Sequence, residues 1–167
     1  MTAPVRVREA VTADLDSILS LERATATAPH WPRAAYSAIL DAAAIPQRCL
    51  FVAHAEDSIS GFAVGLLHPA ASDSSVHRLA ELESVAVVPS VRRSGIGRTL
   101  CVAVLDWCRT HGATEVMLEV RASSDGVIAL YTGLGFIAAG RRPRYYRDPD
   151  DDALVMRLPL EDKAVGM

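Results

Sequence analysis

Residues 5–9, VRVRE, alternate apolar and charged side chains with the two-residue period of a half-exposed strand. The period then lengthens: Leu15, Ile18 and Leu19 make a helical stripe that ends at Glu22, with Thr12 as a possible N-cap and Asp14 and Asp16 in the first turn, where a helix dipole favours carboxylates. Pro32 suits the start of a second helix through Leu40, since its fixed φ and missing N–H cost nothing there. Residues 49–55 and 59–67 are short apolar runs around Glu56, Asp57 and Ser58, a hairpin pattern, and 68–78 reads as a loop. An apolar strand then leads to Pro89, and a long helix from about Gly97 to His111 is stopped by Gly112. Residues 116–120 predict a strand with Met117 and Glu119 on one face and Val116, Leu118 and Val120 on the other. A short helix carries Ile128, Leu130, Tyr131 and Leu134, and strands at 137–142 and 153–160 enclose the loop RPRYYRDPDDD.

Strand, two helices, three strands, helix, strand, helix and two strands predict a mixed three-layer α/β domain. Its expected extent is residues 1–160, with 161–167 as a frayed tail. A net charge of -3 gives no general pull towards nucleic acid, so basic patches must be local, as at residues 92–98 and 141–147. No apolar run is long enough for a membrane span, and MTAPVRVREA lacks the apolar core of a signal peptide, so a cytoplasmic protein is expected. Cys49, Cys101 and Cys108 form neither a disulfide framework nor a CxxC pair and read as small buried apolar residues. His30, His54, His68, His77 and His111 show no metal-ligand spacing, and no metal is expected.

The chemistry concentrates in residues 81–100, ELESVAVVPSVRRSGIGRTL. An apolar strand bends at Pro89, crosses Arg92, Arg93 and Ser94, and enters a helix through Gly95, Ile96, Gly97 and Arg98. Amides at a helix start lack intrahelical partners and sit at the positive end of its dipole, which favours a phosphate or pyrophosphate. A Walker A loop would need a lysine after Gly97, where Arg98 stands, and a dinucleotide fingerprint would need a third glycine where Leu100 stands.

What remains, Arg-x-x-Gly-x-Gly between strand and helix, resembles the acetyl-CoA signature of the GNAT superfamily of N-acetyltransferases, and the element order is shared over nearly the whole chain. The resemblance implies a mixed, mostly antiparallel sheet of about six or seven strands flanked by about four helices. It also implies acetyl-CoA as donor, with the thioester carbonyl on a backbone N–H of Val85, Ala86 or Val87 and the pyrophosphate on the amides of residues 93–98. The segment LEVRASSDGVIALYTGLGF, residues 118–136, is similar to that of the ribosomal-protein alanine N-acetyltransferases, a branch acting on protein α-amines. By position in that motif Glu119 is the expected general base and Tyr131 the general acid that protonates the CoA thiolate. Glu81 and Glu83 are second choices, as base or as seats for the substrate cation, and are read as sharing a strand face with Val85 and Val87.

The chain departs from the branch at Ser124, where the motif has an Asn that contacts the CoA arm, at Val127, where it has Ala, and at Pro143, which interrupts the element containing Tyr145 and Tyr146. In the branch these tyrosines border the peptide entrance opposite a Trp and an aromatic five residues on, a spacing that Trp31 and Tyr36 reproduce. The expected acceptor is thus a protein or peptide N-terminus, such as that of a ribosomal protein, with no nucleic acid or membrane partner and a monomer or weak homodimer as the assembly. Acetylation of a small amine, for instance a polyamine, aminoglycoside or amino acid, is the alternative. A non-catalytic acyl-CoA sensor is a third reading, against which the pairing of Glu119 with Tyr131 argues.

Overall fold

The computed structural model describes residues 3–26, 28–70 and 77–160. Its strands are β1 (Arg6–Glu9), β2 (Gln47–Ala55), β3 (Ser58–Leu67), β4 (Leu79–Val87), β5 (Glu115–Arg121), β6 (Ile137–Tyr146) and β7 (Asp151–Pro159). Its helices are α1 (Leu15–Ala24), α2 (Arg33–Ile39), α3 (Ile96–Thr110) and α4 (Asp125–Gly133). The element order is the expected one. One seven-stranded sheet runs β1-β2-β3-β4-β5-β7-β6, and every neighbouring pair is antiparallel except β4 with β5.

Two apolar cores lie on opposite faces of this sheet. On one, α3 buries Leu100, Cys101, Val104 and Cys108, residues spaced along one helical stripe, against Ala63, Leu67 and Val116. Full burial of each larger side chain, such as Leu100 or Val104, is worth about 1.5–3 kcal/mol. On the other, α1 contributes Leu15, Ile18 and Leu19 and α2 contributes Tyr36, packed on Leu50, Phe62 and Val64. Ahead of α1, the Asp14 carboxylate takes two hydrogen bonds from Arg8, at 2.7 and 3.0 Å, and one from the Val11 N–H at 2.8 Å. The three cysteines are buried, as their apolar reading required, and burial pushes the Cys101 and Cys108 thiols up to about 12.

The feature that positions the site is a bulge in β4. Val64 of β3 pairs with Ser84 and the next residue, Gly65, pairs with Leu82, so Glu83 is left over. One extra residue reverses the alternation along the strand. Ala80 and Leu82 face α3 before the bulge; after it Val85 and Val87 do, while Ala86 joins the core beneath α1 and α2. Glu81 and Glu83 therefore do not share a face with Val85 and Val87, which corrects the expectation drawn from plain alternation. The parallel ladder between β4 and β5 is short as well. It holds Leu79–Glu115, Ala80–Val116 and Glu81–Met117, and beyond it the two strands run on unpaired with each other.

Two boundaries also differ from expectation. β6 continues through Pro143 to Tyr146 and β7 begins at Asp151, so most of the expected loop is strand. An outer strand tolerates proline because its free edge has no ladder bond to lose. The expected tail at 161–167, and residues 71–76 of the expected loop, lie outside the described residues.

Candidate active site

Gly95 stands at the N-cap of α3 with φ +86°, and Arg93, two residues earlier, has φ +63°. Glycine takes that conformation readily; an arginine there stores strain, and strained backbone clusters at binding sites. No side chain caps the helix, whose first internal backbone bond runs from the Thr99 N–H to the Gly95 carbonyl at 3.0 Å. The amides of Ile96, Gly97 and Arg98 thus lack an acceptor among the described residues and sit at the positive pole of a 15-residue helix. Arg92, Arg93 and Arg98 are exposed beside them, with no ion pair to any described carboxylate. Arg92 donates to the Val87 carbonyl at 3.0 Å and ties the turn to the end of β4, while the Ser94 hydroxyl is tied to the Val91 carbonyl.

A cavity of about 440 Å³ opens on this turn. It is lined by Arg92, Arg93, Gly95, Gly97 and Arg98 and by the apolar Val85, Val87, Val91 and Leu130 with Tyr131. Ala86 and Ile96 also line it. The backbone faces it too. Val88 donates its N–H to Ser60 of β3 at 2.8 Å, and strand amides alternate in direction, so those of Val87 and Val85 point away from β3 into the split between β4 and β5. Arginines with free helix amides, apolar walls and free strand amides suit a ligand with a phosphorylated head and an uncharged arm, such as an acyl-CoA.

Tyr131 reaches the cavity from α4 and is 8% exposed. Burial, and after it Cys101 and Tyr146, pushes its hydroxyl above the usual phenol range, so it stays protonated at any working pH. Ser124 is the N-cap residue of α4, where its carbonyl accepts the Ile128 N–H at 3.0 Å, and it does not line the cavity. Thr25, Gly126 and Val127 do line it and were not anticipated.

On the face of the sheet away from α3, the structure gathers three carboxylates, each beside a basic side chain. Glu119 lies 2.9 Å from Arg142 and accepts a hydrogen bond from Tyr145, which raises the Tyr145 hydroxyl. Glu83 takes two bonds from Arg48, at 2.8 and 3.3 Å. Glu81 lies 3.1 Å from Nε2 of His68. The rings of Tyr145 and Tyr146 meet edge to face at 5.1 Å, and the Arg121 guanidinium stacks on Tyr146 at 4.5 Å. Tyr146 is raised by burial first and then by Glu119, and it acts in turn on Tyr131.

Trp31 borders a second hollow of about 260 Å³ with Ala35, Ile39 and Arg48, on this same face. Tyr36 does not. It is wholly buried, edge-on to Phe62 at 5.9 Å and 5.6 Å from Trp31, so it buttresses Trp31 from the core instead of lining an entrance. Sequence reasoning missed Arg48, His68 and Arg142. A histidine or arginine closing a strand could have been noted, but nothing local linked each to its carboxylate. Among the described residues no three His, Cys, Asp or Glu side chains converge as a metal-ligand set, and no helix is long and apolar enough to cross a membrane.

Residues 15–136 match the family model described as the acetyltransferase (GNAT) family. The chain belongs to the GNAT family. It is 33% identical to an uncharacterised protein of Mycobacterium leprae over 92% of this chain and 40% of that protein. It is 42% identical to the [ribosomal protein bS18]-alanine N-acetyltransferase of Escherichia coli over 48% of this chain and 56% of that protein, so the chain spans about half the length of the curated relatives it matches. Among solved structures, the ribosomal-protein-S18-alanine N-acetyltransferase of Escherichia coli superposes with a TM-score of 0.75 at 26% identity, covering 98% of this chain and 100% of that one.

Proposed function

We propose that the protein transfers the acetyl group of acetyl-CoA to a primary amine, and that the amine is the α-amino group of a protein N-terminus, as in the Escherichia coli relative named for ribosomal-protein alanine acetylation. The observation that carries this reading is the split between β4 and β5. It lies between a cavity lined by arginines and unpaired amides and a sheet face bearing Glu81, Glu83 and Glu119. When bound, acetyl-CoA supplies an acyl carbonyl activated as a thioester.

The residues of the chain then have distinct tasks. The amides of residues 93–98 with Arg92, Arg93 and Arg98 hold the pyrophosphate. The free strand amides of Val85 and Val87 are oriented to polarise the thioester carbonyl, and preorganised donors of this kind carry much of the rate in acyl transfer. Tyr131, always protonated, gives a proton to the departing sulfur. The same low-polarity surroundings that hold its proton also make a bare thiolate costly, which favours that transfer. The carboxylates attract the acceptor cation and take its proton, with Glu119 the residue placed by motif and Glu81 and Glu83 beside it.

The α-amine is also the easier acceptor. With a pKa near 8 roughly a tenth of it is neutral at pH 7, against less than about a thousandth of a lysine amine. Three carboxylates on one face suit a polyamine equally well, which keeps a small amine as the second reading. Incubating the protein with acetyl-CoA and a panel of N-terminal peptides, lysine peptides and polyamines, followed by mass spectrometry, separates these. The proposal requires α-acetylated peptide as the main product; acetylated polyamine alone would favour the second reading, and no product with any amine would favour an acyl-CoA sensor.

A further inference from the structure

Arg121 closes β5, where the chain leaves the sheet for α4. It makes no ion pair with any described carboxylate. Its guanidinium is spent instead on the turn between β6 and β7. One amino nitrogen donates to the Pro149 carbonyl at 2.9 Å and the other to the Arg147 carbonyl at 3.3 Å, while the flat face lies 4.5 Å from the centre of the Tyr146 ring. A planar fork with a stacking face is what arginine offers and lysine does not. Two neighbours continue the fastening: the Ser123 N–H donates to the Asp151 carboxylate at 3.2 Å, and the Ala122 N–H to the Asp152 carbonyl at 2.9 Å.

The turn depends on this fastening. Asp148 has φ +53°, a conformation that a residue with a side chain keeps only where its surroundings impose it. The ladder between β6 and β7 also slips beyond Arg142–Ala153: residues 143–145 have no partner in β7, and pairing resumes only at Tyr146–Asp151. The sheet alone therefore leaves this end of β6 loosely placed. What is held there faces the acceptor side, because Tyr146 meets Tyr145 edge to face at 5.1 Å and the Tyr145 hydroxyl bonds Glu119. Glu119 stands two residues before Arg121 in β5, so the two share one face of the strand.

We infer that Arg121 is a positioning residue for the acceptor: it fixes the turn after β6 and, through the Tyr146 ring, the wall along which the acceptor lies. The inference rests on the acetyl-transfer reading, in which the acceptor occupies the face bearing Glu119. Arg121 does not line the donor cavity. Its loss should therefore leave CoA in place and misplace the amine.

The test compares peptide acetylation by wild type, Arg121→Ala, Arg121→Lys, Tyr146→Leu and the double variant Arg121→Ala/Tyr146→Leu. Arg121→Ala should lower kcat/KM for the peptide about 100-fold, mostly through KM, since a misplacement of about 1 Å costs that much, while CoA affinity by calorimetry stays within about threefold. Arg121→Lys keeps the charge without the fork and should recover no more than about tenfold of that loss. If Arg121 acts through the Tyr146 ring, the double variant falls within about threefold of the worse single variant, because coupled sites do not add. Amide exchange gives a readout without turnover: residues 144–152 should exchange faster in Arg121→Ala and α3 should not. Wild-type peptide kinetics in Arg121→Ala, a CoA affinity that falls together with turnover, full recovery in Arg121→Lys or additive losses in the double variant each overturn the assignment. If Arg121→Ala does not fold, Arg121→Lys is set against wild type in the same assays. A wild type that acetylates no amine refutes the acetyl-transfer reading, and unchanged exchange at residues 144–152 would then overturn the fastening separately.

Discussion

Gly95 and Gly112 bracket α3, and nature has supplied a matched pair. Gly95 precedes the helix with φ +86° and Gly112 follows it with φ +85°. A Cβ built on either meets no atom within 4 Å, so steric clash is absent from both and only backbone strain remains. Left-handed conformation costs a non-glycine residue about 1–2 kcal/mol, offset in part by the lower entropy of the unfolded alanine chain, which leaves about 1 kcal/mol for each substitution. In a domain of this size that lowers Tm by about 2–4 °C. Gly95→Ala and Gly112→Ala should therefore melt alike.

Ligand binding should tell them apart. Relief of the strain at residue 95 turns the amides of residues 96–98 away from their common focus, and each charge-assisted bond so lost is worth about 1.5–3 kcal/mol. Loss of two predicts a CoA affinity at least about 100-fold weaker, since about 1.4 kcal/mol is a factor of ten. Gly112→Ala, at the far end of the helix, should bind CoA as wild type does. Scanning fluorimetry gives the first comparison and isothermal titration calorimetry the second. If Gly95→Ala binds CoA within about threefold of wild type while melting lower, or if Gly112→Ala loses binding equally, the amide cradle at α3 is not where the pyrophosphate lies.

Tyr131→Phe removes a hydroxyl from the cavity lining and keeps the ring against Phe136, 5.8 Å away. Its kcat should fall about 100-fold with CoA affinity within about threefold, a split that stopped-flow turnover and calorimetry resolve. Asp14→Asn tests a site remote from the chemistry. Arg8 first, and the Val11 N–H after it, hold the Asp14 carboxyl below its ordinary range. A depressed folded-state pKa contributes stability above the unfolded value, near 3.9, and that contribution is lost as the pH falls through the folded value. Asp14→Asn should therefore cost about 1–3 kcal/mol in urea unfolding at pH 7, and the difference from wild type should shrink as the pH drops below about 4.

The helical stripe from Ile96 to Cys108, the alternation in β5 and the glycines flanking α3 are local patterns, and the elements they predict are those observed. The bulge went unread. LAELESVAV holds neither glycine nor proline, and the trace of the slip is the polar pair Glu83–Ser84, across which the apolar positions shift phase from Ala80 and Leu82 to Val85 and Val87. What places the slip is β3. There Gly65 lies so close to α3 that a Cβ would come within 2.7 Å of Val104 and 2.8 Å of the Cys49 sulfur, a fit that only the assembled sheet reveals. Tyr36 was misplaced for a related reason: an aromatic five residues from Trp31 can point to solvent or core, and Phe62 from a distant strand decides. The ion-pair partners His68, Arg48 and Arg142 come from three other strands or their ends, so no spacing rule could join them to Glu81, Glu83 and Glu119.

Under the function proposed above, the position of the split within the sheet explains how one protein brings together two unlike ligands. The first turn of α3, Val85, Val87 and Tyr131 lie on the α3 side; Glu81, Glu119 and Trp31 lie on the other. A continuous sheet would wall these sides off from each other, because β4 and β5 would spend their amides on a shared ladder. By ending that ladder at Glu81 and Met117, the chain leaves strand amides without partners, an arrangement that is costly when buried and that a bound thioester arm would offset. The same extra residue at Glu83 turns two valines towards the donor cavity and leaves the glutamates on the acceptor face. Under the function proposed above, donor and acceptor therefore approach from opposite faces and meet in the plane of the sheet, at the one place where its hydrogen bonding is interrupted.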